Sequence, residues 1–323
     1  GRGVHPPMRK RILQFLLTLI LLLASYWIIT WAVQELSLRP LAGKLTITDP
    51  DLESGMHAFR SGEFEIQLIA TGQDHPGGYQ GPRLVIVHSS APGRWLWYTR
   101  RGAAFVAAGN GQETVKESRG SYTITDRLSH RCTDQTIDEI QVQDEKVIIA
   151  GQLSCRPGEN TGYTLAFSQP ASSRLSFELS FSDPTLNRSY LTYASDPDEH
   201  FFGFGEQFSF FDHKGQRVPI WVSEQGIGRG LQPLTFMVNQ VAGAGGSAYT
   251  TYAAVPHYIT SRLRSLFVEN PEYTVFDLRK PEQVQIQVFA SSISGQIISG
   301  NNPEELIENY TAWAGRMRRL PDW

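Results

Sequence analysis

From Lys44 to Gly300 the chain keeps returning to one pattern: a short run that alternates apolar with polar residues, then a cluster of Gly, Pro, Asn, Asp or Ser, then the next alternation. A side-chain period of two belongs to a half-buried strand, and Gly and Pro supply the backbone of tight reversals. A chain built this way folds as antiparallel sheets rather than as βαβ units. EFEIQLIAT (63–71) puts Phe64, Ile66, Leu68 and Ala70 on one face and Glu63, Glu65 and Gln67 on the other. KLTITD (44–49), EIQVQ (139–143), KVIIAGQL (146–153), YTLAFS (163–168) and RLSFELSFS (174–182) continue the rhythm, which predicts a mainly β fold: one large antiparallel β-sandwich over residues 44–300. The 29 glycines, 18 prolines and 11% aromatic residues suit many short strands joined by turns.

Ahead of the sandwich, residues 12–33 carry no charge, and Arg2, Arg9, Lys10 and Arg11 precede them. At ~1.5 Å per residue, a helix of that length crosses the ~30 Å hydrocarbon layer of a bilayer. The basic flank keeps the N-terminus in the cytoplasm and sends the remainder across. The expected order is a cytoplasmic basic tail (1–11), a transmembrane signal-anchor (12–33) and a tether (34–43); cleavage of the anchor as a signal peptide, leaving a secreted β-domain, is the alternative. With 29 Lys+Arg against 32 Asp+Glu and no later basic tract, nucleic acid is excluded as a partner.

If EIQVQ and KVIIA turn at Asp144 and Glu145, the numbers of facing residues sum to about 289 and those of Cys132 and Cys155 to 287. A bulge near Thr133–Thr136 would absorb the slip and allow a disulfide, as expected outside the cytoplasm. Two separately buried thiols are the alternative. Two cysteines alone do not make a zinc site, and none of the eight histidines forms an HxxH or HExxH pair, so no metal is expected. Asn187-Arg188-Ser189 and Asn309-Tyr310-Thr311 are glycosylation sequons if the source is eukaryotic.

The stretch HFFGFGEQFSFFDHKGQRVPIWVSEQGIGRG (200–230) mixes aromatics, glycines and charges as neither a plain strand nor a plain loop requires. Its glycines miss the GxGxxG spacing and lack a βαβ unit, so no dinucleotide or other cofactor is expected. RVPIWVS (217–223) and QPLTFMVN (232–239) read as strands, which predicts a hairpin whose glycine-rich tip carries Glu224, Gln225 and Arg229. Glu206, beside Gly203 and Gly205, reads as a structural carboxylate receiving backbone N–H groups. In PEELIENYTAWAGRM, Leu306, Ile307, Tyr310 and Trp313 recur at helical spacing, with Asn302 placed to cap and Pro303 in the first turn: a linker helix over 301–319.

FFGFGEQFSFFDHKG, PIWVSEQGIGRG and AGGSAYTTYAAVPHYITSR together resemble the N-terminal β-domain of glycoside hydrolase family 31, the α-glucosidase family. The WVSEQGIGRG element is similar to the bacterial branch that includes the sulfoquinovosidases. The resemblance covers residues 55–323, most closely after 195. It implies a galactose-mutarotase-like sandwich, then the linker helix, then the first residues of a (β/α)8 catalytic barrel at 320–323. In that family the barrel carries both aspartates of retaining hydrolysis, so no catalytic residue is implied in this chain. A loop of the N-terminal domain reaches over the barrel mouth, which implies Glu224, Gln225 and Arg229 as polar contacts to sugar hydroxyls and Trp221 as a platform. The implied partners are a carbohydrate substrate, the barrel of the same polypeptide and, through residues 12–33, a membrane. The implied function is to complete the sugar pocket of a retaining α-glycosidase acting on α-glucosides or sulfoquinovosides. A stand-alone, membrane-anchored sugar-binding or adaptor sandwich without catalysis is the alternative. An apolar face around Phe267, Tyr273, Val275, Phe276 and Trp313 is expected to be left open by the absence of the barrel.

Overall fold

The computed structural model describes residues 8–37, 40–70, 81–156, 158–230 and 232–319, which leaves the expected barrel start at 320–323 outside the described residues. The chain divides into two units, Gly1–Pro40 and Leu41–Trp323. The first holds one helix, Met8–Ser37. It overruns the expected 12–33 at both ends and takes in the start of the expected tether, because no Gly or Pro interrupts MRKR or QELS. Among the described residues no helix is long and apolar enough to cross a membrane, so the expected span is not evident there.

The second unit is mainly β. Its largest sheet runs in the order Leu45–Ile47, Asp134–Ile137, Lys146–Arg156, Glu159–Ala171, Arg174–Phe181, Ser292–Ile298, Ser265–Val268, Ala254–Thr260 and Phe201–Gly205, with Glu139–Gln143 also paired to Lys146–Arg156. A six-stranded sheet follows the order Arg217–Ile220, Thr274–Asp277, Gln283–Val288, Arg188–Ala194, Val106–Ser118 and Ser121–Cys132. A four-stranded sheet takes Met56–Ser61, Phe64–Ile69, Arg83–His88 and Ala91–Tyr98. One apolar core draws on all three, with Ile66, Leu165 and Ile286 fully buried within it. Each such side chain contributes roughly 1.5–3 kcal/mol. The period-two reading holds on Phe64–Ile69, where Phe64, Ile66 and Leu68 face the core and the residues between them are half-buried. Leu45–Ile47 departs from the expected antiparallel pairing: it lies parallel to Asp134–Ile137, Thr46 facing Thr136.

Lys146 pairs with Gln143 and Ala150 with Glu139, around a turn whose two residues, Asp144 and Glu145, have φ of 49° and 63°. That is the backbone a two-residue hairpin turn needs. The register slips one residue by the pairing of Leu153 with Gln135, and one more beyond Asp134. Cys132 then forms a disulfide with Cys155. Since these two strands belong to different sheets, the bond staples one sheet to the other.

Gly203, Phe204 and Gly205 all have positive φ (126°, 65° and 85°). Between the pairs Gly203–Tyr258 and Gly205–Ala254, Phe204 alone faces Val255, Pro256 and His257. A Cβ on Gly205 would lie 2.0 Å from the Ala253 carbonyl oxygen, and one on Gly203 2.7 Å from that of His257, so neither glycine is replaceable without a backbone shift. Glu206 is exposed and takes part through its backbone N–H, which donates to Ala253. The expected structural carboxylate is instead Glu199, fully buried and gripped by Arg264, whose Nε lies 2.7 Å from Oε1 and whose terminal nitrogen meets Oε2.

The linker helix is Pro303–Ala314, capped by the Asn302 side chain, which accepts from the Glu305 N–H (2.8 Å). It stops at Gly315 (φ 98°), short of the expected 319. Tyr310 stacks on His257 (centroids 3.9 Å apart, 6° between planes), and Trp313 sits edge-on to Phe267. The expected open apolar face is found only in part: Val275 and Phe276 are core, and Phe267 and Tyr273 are half-buried, while Trp313 stays exposed (41%).

Burial lowers the His257 pKa to about 4, so the ring is neutral in the native state; its Nε2 lies 2.9 Å from Ser265 Oγ. The unfolded chain, with His near 6.5, binds the proton first as pH falls, so this contribution to stability is lost from about pH 6.5 down to about 4 and amounts to at most about 3 kcal/mol. Urea unfolding across that range is expected to fall more steeply for the natural chain than for His257→Phe; parallel curves would show that His257 does not carry the dependence.

Candidate functional site

Val106–Ser118 and Ser121–Cys132 form a long ribbon whose outer half is exposed and which turns at Arg119 and Gly120 (φ 53° and 77°). Its middle is fixed by Arg188, 2% exposed, which binds both Asp126 oxygens (3.1 and 2.9 Å) and Glu113 and lies 4.0 Å from the Phe289 ring centre. Its tip is held by the segment after Arg217–Ile220: the Gly120 carbonyl accepts from the Glu224 N–H (2.9 Å) and the Ser223 hydroxyl (3.3 Å).

The expected second hairpin strand is a helix, Pro233–Ala242. Pro233 suits a first turn, where its missing N–H is not needed, and Gly243 closes the helix with left-handed backbone (φ 59°). Leu234, Met237 and Val241 recur at helical spacing and stand exposed, while Thr235 is buried. In place of a hairpin tip, the glycine-rich segment is held by backbone bonds from Ile227 to Ala244 and from Gly230 to Gly246.

Ribbon and loop enclose a cleft of about 610 Å³. Trp221, Tyr122, Tyr249 and Tyr273 line it, with Asn239 and Ser247 among its polar groups. Trp221 meets Tyr122 and Tyr273 edge-on at 5.5 and 5.6 Å. Burial raises the Tyr249 and Tyr273 pKa values, and the Tyr249 hydroxyl donates to Gln216 (2.7 Å). The Trp221 indole N–H is buried with no acceptor among the described residues. An unpaired buried donor costs ~1–3 kcal/mol.

Of the four residues expected to contact sugar, Trp221 alone lines this cleft. The exposed Glu224 carboxylate accepts from the Tyr252 hydroxyl, raising the Tyr252 pKa, and from the Gln225 N–H (3.1 Å). Arg229 donates to the Thr250 carbonyl and to Gln225 Oε1, and its guanidinium lies 4.4 Å from the Phe208 ring centre. Glu224 and Arg229 thus have separate partners, and Gln225 links their two networks. The three tyrosines of the cleft went unread because they come from three distant segments; the tyrosine-rich GGSAYTTYAA was the one visible trace. Among the described residues Glu117 is the one carboxylate lining the cleft, and it accepts the Gly120 N–H (2.8 Å), whereas glycoside hydrolysis uses a pair flanking the scissile bond. The sequon amides are engaged as well: Asn187 exchanges two bonds with Gly111, and Asn309 donates to the Ser299 carbonyl (2.8 Å).

The sequence profile of the glycosyl hydrolase 31 N-terminal galactose mutarotase-like domain matches residues 56–277. The chain belongs to glycosyl hydrolase family 31. This family 31 domain is 32% identical over 244 residues to the sulfoquinovosidase of Agrobacterium fabrum and 30% over 245 to that of Escherichia coli. Each match covers 75% of the chain and 33% of the relative, so the chain spans about a third of the length of these proteins. Its fold is like that of a family 31 sulfoquinovosidase from E. rectale solved with an aza-sugar inhibitor (TM-score 0.64, 24% identity, 75% of this chain and 34% of that one).

Arg229 ties the loop to itself through two hydrogen bonds and an aromatic face. Arg229→Ala is expected to raise backbone hydrogen exchange across 221–252 by about tenfold while costing roughly 1–2 kcal/mol of stability. Unchanged exchange there would remove Arg229 from the support of the loop.

Proposed function

We propose that this family 31 domain completes the sugar pocket of a retaining α-glycosidase acting on α-glucosides or sulfoquinovosides. The cleft beside Trp221 meets the carbohydrate, and a catalytic barrel in the same longer polypeptide supplies the nucleophile and the general acid/base. The observation that carries this reading is the cleft walled by the aromatic rings of Trp221, Tyr122, Tyr249 and Tyr273. Sugars offer both complements, ring C–H faces for the aromatics and hydroxyl groups for polar side chains such as Asn239 and Ser247. The two sulfoquinovosidase relatives favour a sulfonated glycoside, and their greater length is consistent with a further catalytic part. In this reading Trp221 touches the sugar, while Glu224, Gln225 and Arg229 hold the loop that presents it.

Titration of the chain with methyl α-sulfoquinovoside and methyl α-glucoside is expected to change tryptophan fluorescence saturably, and Trp221→Phe to weaken binding about tenfold, the loss of roughly 1.4 kcal/mol. Equal affinity in the variant would move the sugar away from this cleft.

The same reading keeps the N-terminal helix as a membrane anchor with the β-domain outside the cytoplasm. Supporting it are the uncharged run 12–33, the basic residues before it, and the exposed apolar side chains of Ile12, Leu13, Phe15, Ile20 and Leu21 on a continuous helix. In cells the chain should stay with membranes through alkaline carbonate washing and lose that association when residues 12–33 are deleted; release of the intact chain by the wash would contradict an anchor.

A further inference from the structure

We propose that His130, Cys132 and Cys155 form a zinc-type metal site when the disulfide between the two cysteines is reduced. Their ligand atoms lie within 4.8 Å of one another, and among the described residues this is the one group of three His, Cys, Asp or Glu side chains so placed. His130 and Cys132 are two residues apart on one strand, so both point to the same face, while Cys155 approaches from the other sheet. The sequence conceals the arrangement, since an HxC pair and a cysteine 23 residues later match no zinc spacing; only the folding of one sheet over the other gathers them.

One imidazole and two thiolates form a donor set that suits zinc, and three protein ligands leave a fourth tetrahedral position for water. Side chains this close need shifts of only about an ångström to surround an ion at metal–ligand distances of ~2.0–2.3 Å.

The site exists in two exclusive states. Reduction by a dithiol, which becomes a disulfide, or by a phosphine with water, which becomes a phosphine oxide, supplies two electrons and two protons, breaks the S–S bond and leaves two thiols; metal binding then releases both protons as the thiolates coordinate. Disulfide and metal compete for the same two sulfur atoms. Either one joins the six-stranded sheet to the ten-stranded one, so the ion would take over the staple that reduction removes.

The test uses the full chain, reduced by a phosphine under argon and titrated with cobalt(II), then with zinc. Binding of one cobalt per chain with thiolate-to-cobalt absorption, bleached by zinc and absent from the oxidised chain, is the expected result. Cys155→Ser should abolish the absorption. His130→Ala keeps the disulfide, so its fold can be checked in the oxidised form by circular dichroism; after reduction it should bind at least about tenfold more weakly. The proposal is overturned if the reduced chain shows no thiolate-to-cobalt absorption, if it unfolds and zinc does not restore it, or if His130→Ala binds as tightly as the natural chain.

Discussion

Phe204 sits in the core with a left-handed backbone, between two glycines whose backbones also have positive φ and nearly touch the opposing strand. A positive φ on a phenylalanine costs of order 1–3 kcal/mol, and its persistence requires that surrounding packing over-determine it. Tyr258, Phe276 and His213 supply that packing, with ring centres 5.8, 5.1 and 5.1 Å from Phe204. The result is directional. The chain bulges around a buried ring between Gly203 and Gly205, and the segment beyond leads through Arg217–Ile220 to the wall of the cleft. The Glu199–Arg264 pair fixes the neighbourhood of the same turn, since Arg264 also donates to the Ala194 carbonyl (3.1 Å) and so ties three segments at a point with no solvent. A charge pair that dry contributes mainly by excluding other arrangements, because either partner left alone would be a buried ion.

The cleft is thus a product of distant supports. Its ribbon wall is anchored by Arg188 against Asp126, Glu113 and Phe289, and its loop wall by the Glu224–Tyr252 and Arg229–Gln225 networks. Polar bonds hold these outlying parts, whereas apolar burial holds the sheets. The division follows from geometry: a two-stranded ribbon and a ten-residue helix bury too little surface to fix themselves, so they depend on hydrogen bonds to particular atoms.

Much of this could be read from residues alone. Alternation located the strand Phe64–Ile69, the turn at Asp144 and Glu145 followed from its flanking strands, and the cap of the linker helix was visible as Asn302 ahead of Pro303. Each of these is set by neighbours within a few positions. QPLTFMVN was misread because so short an apolar run fits a strand as well as a helix, and Pro233 and Gly243, which decide for the helix, act only at its ends. The parallel pairing of Leu45–Ile47, the tyrosines of the cleft and the meeting of His130 with two cysteines were illegible for another reason: each depends on one segment crossing over another, which local pattern does not encode.

The parallel pair has a consequence for how the molecule comes into being. Thr46 leaves the ribosome ninety positions ahead of Thr136, its partner. At about 5–20 residues per second, Leu45–Ile47 would spend roughly 5–20 s with no strand to join. Its eventual neighbour, by contrast, belongs to a stretch of consecutive strands from Asp134 to Arg156 that can assemble locally, beside a cysteine pair only 23 residues apart. The order of assembly is therefore the reverse of the order of synthesis at this edge: the first strand made is a late arrival, closing over a hairpin that already exists.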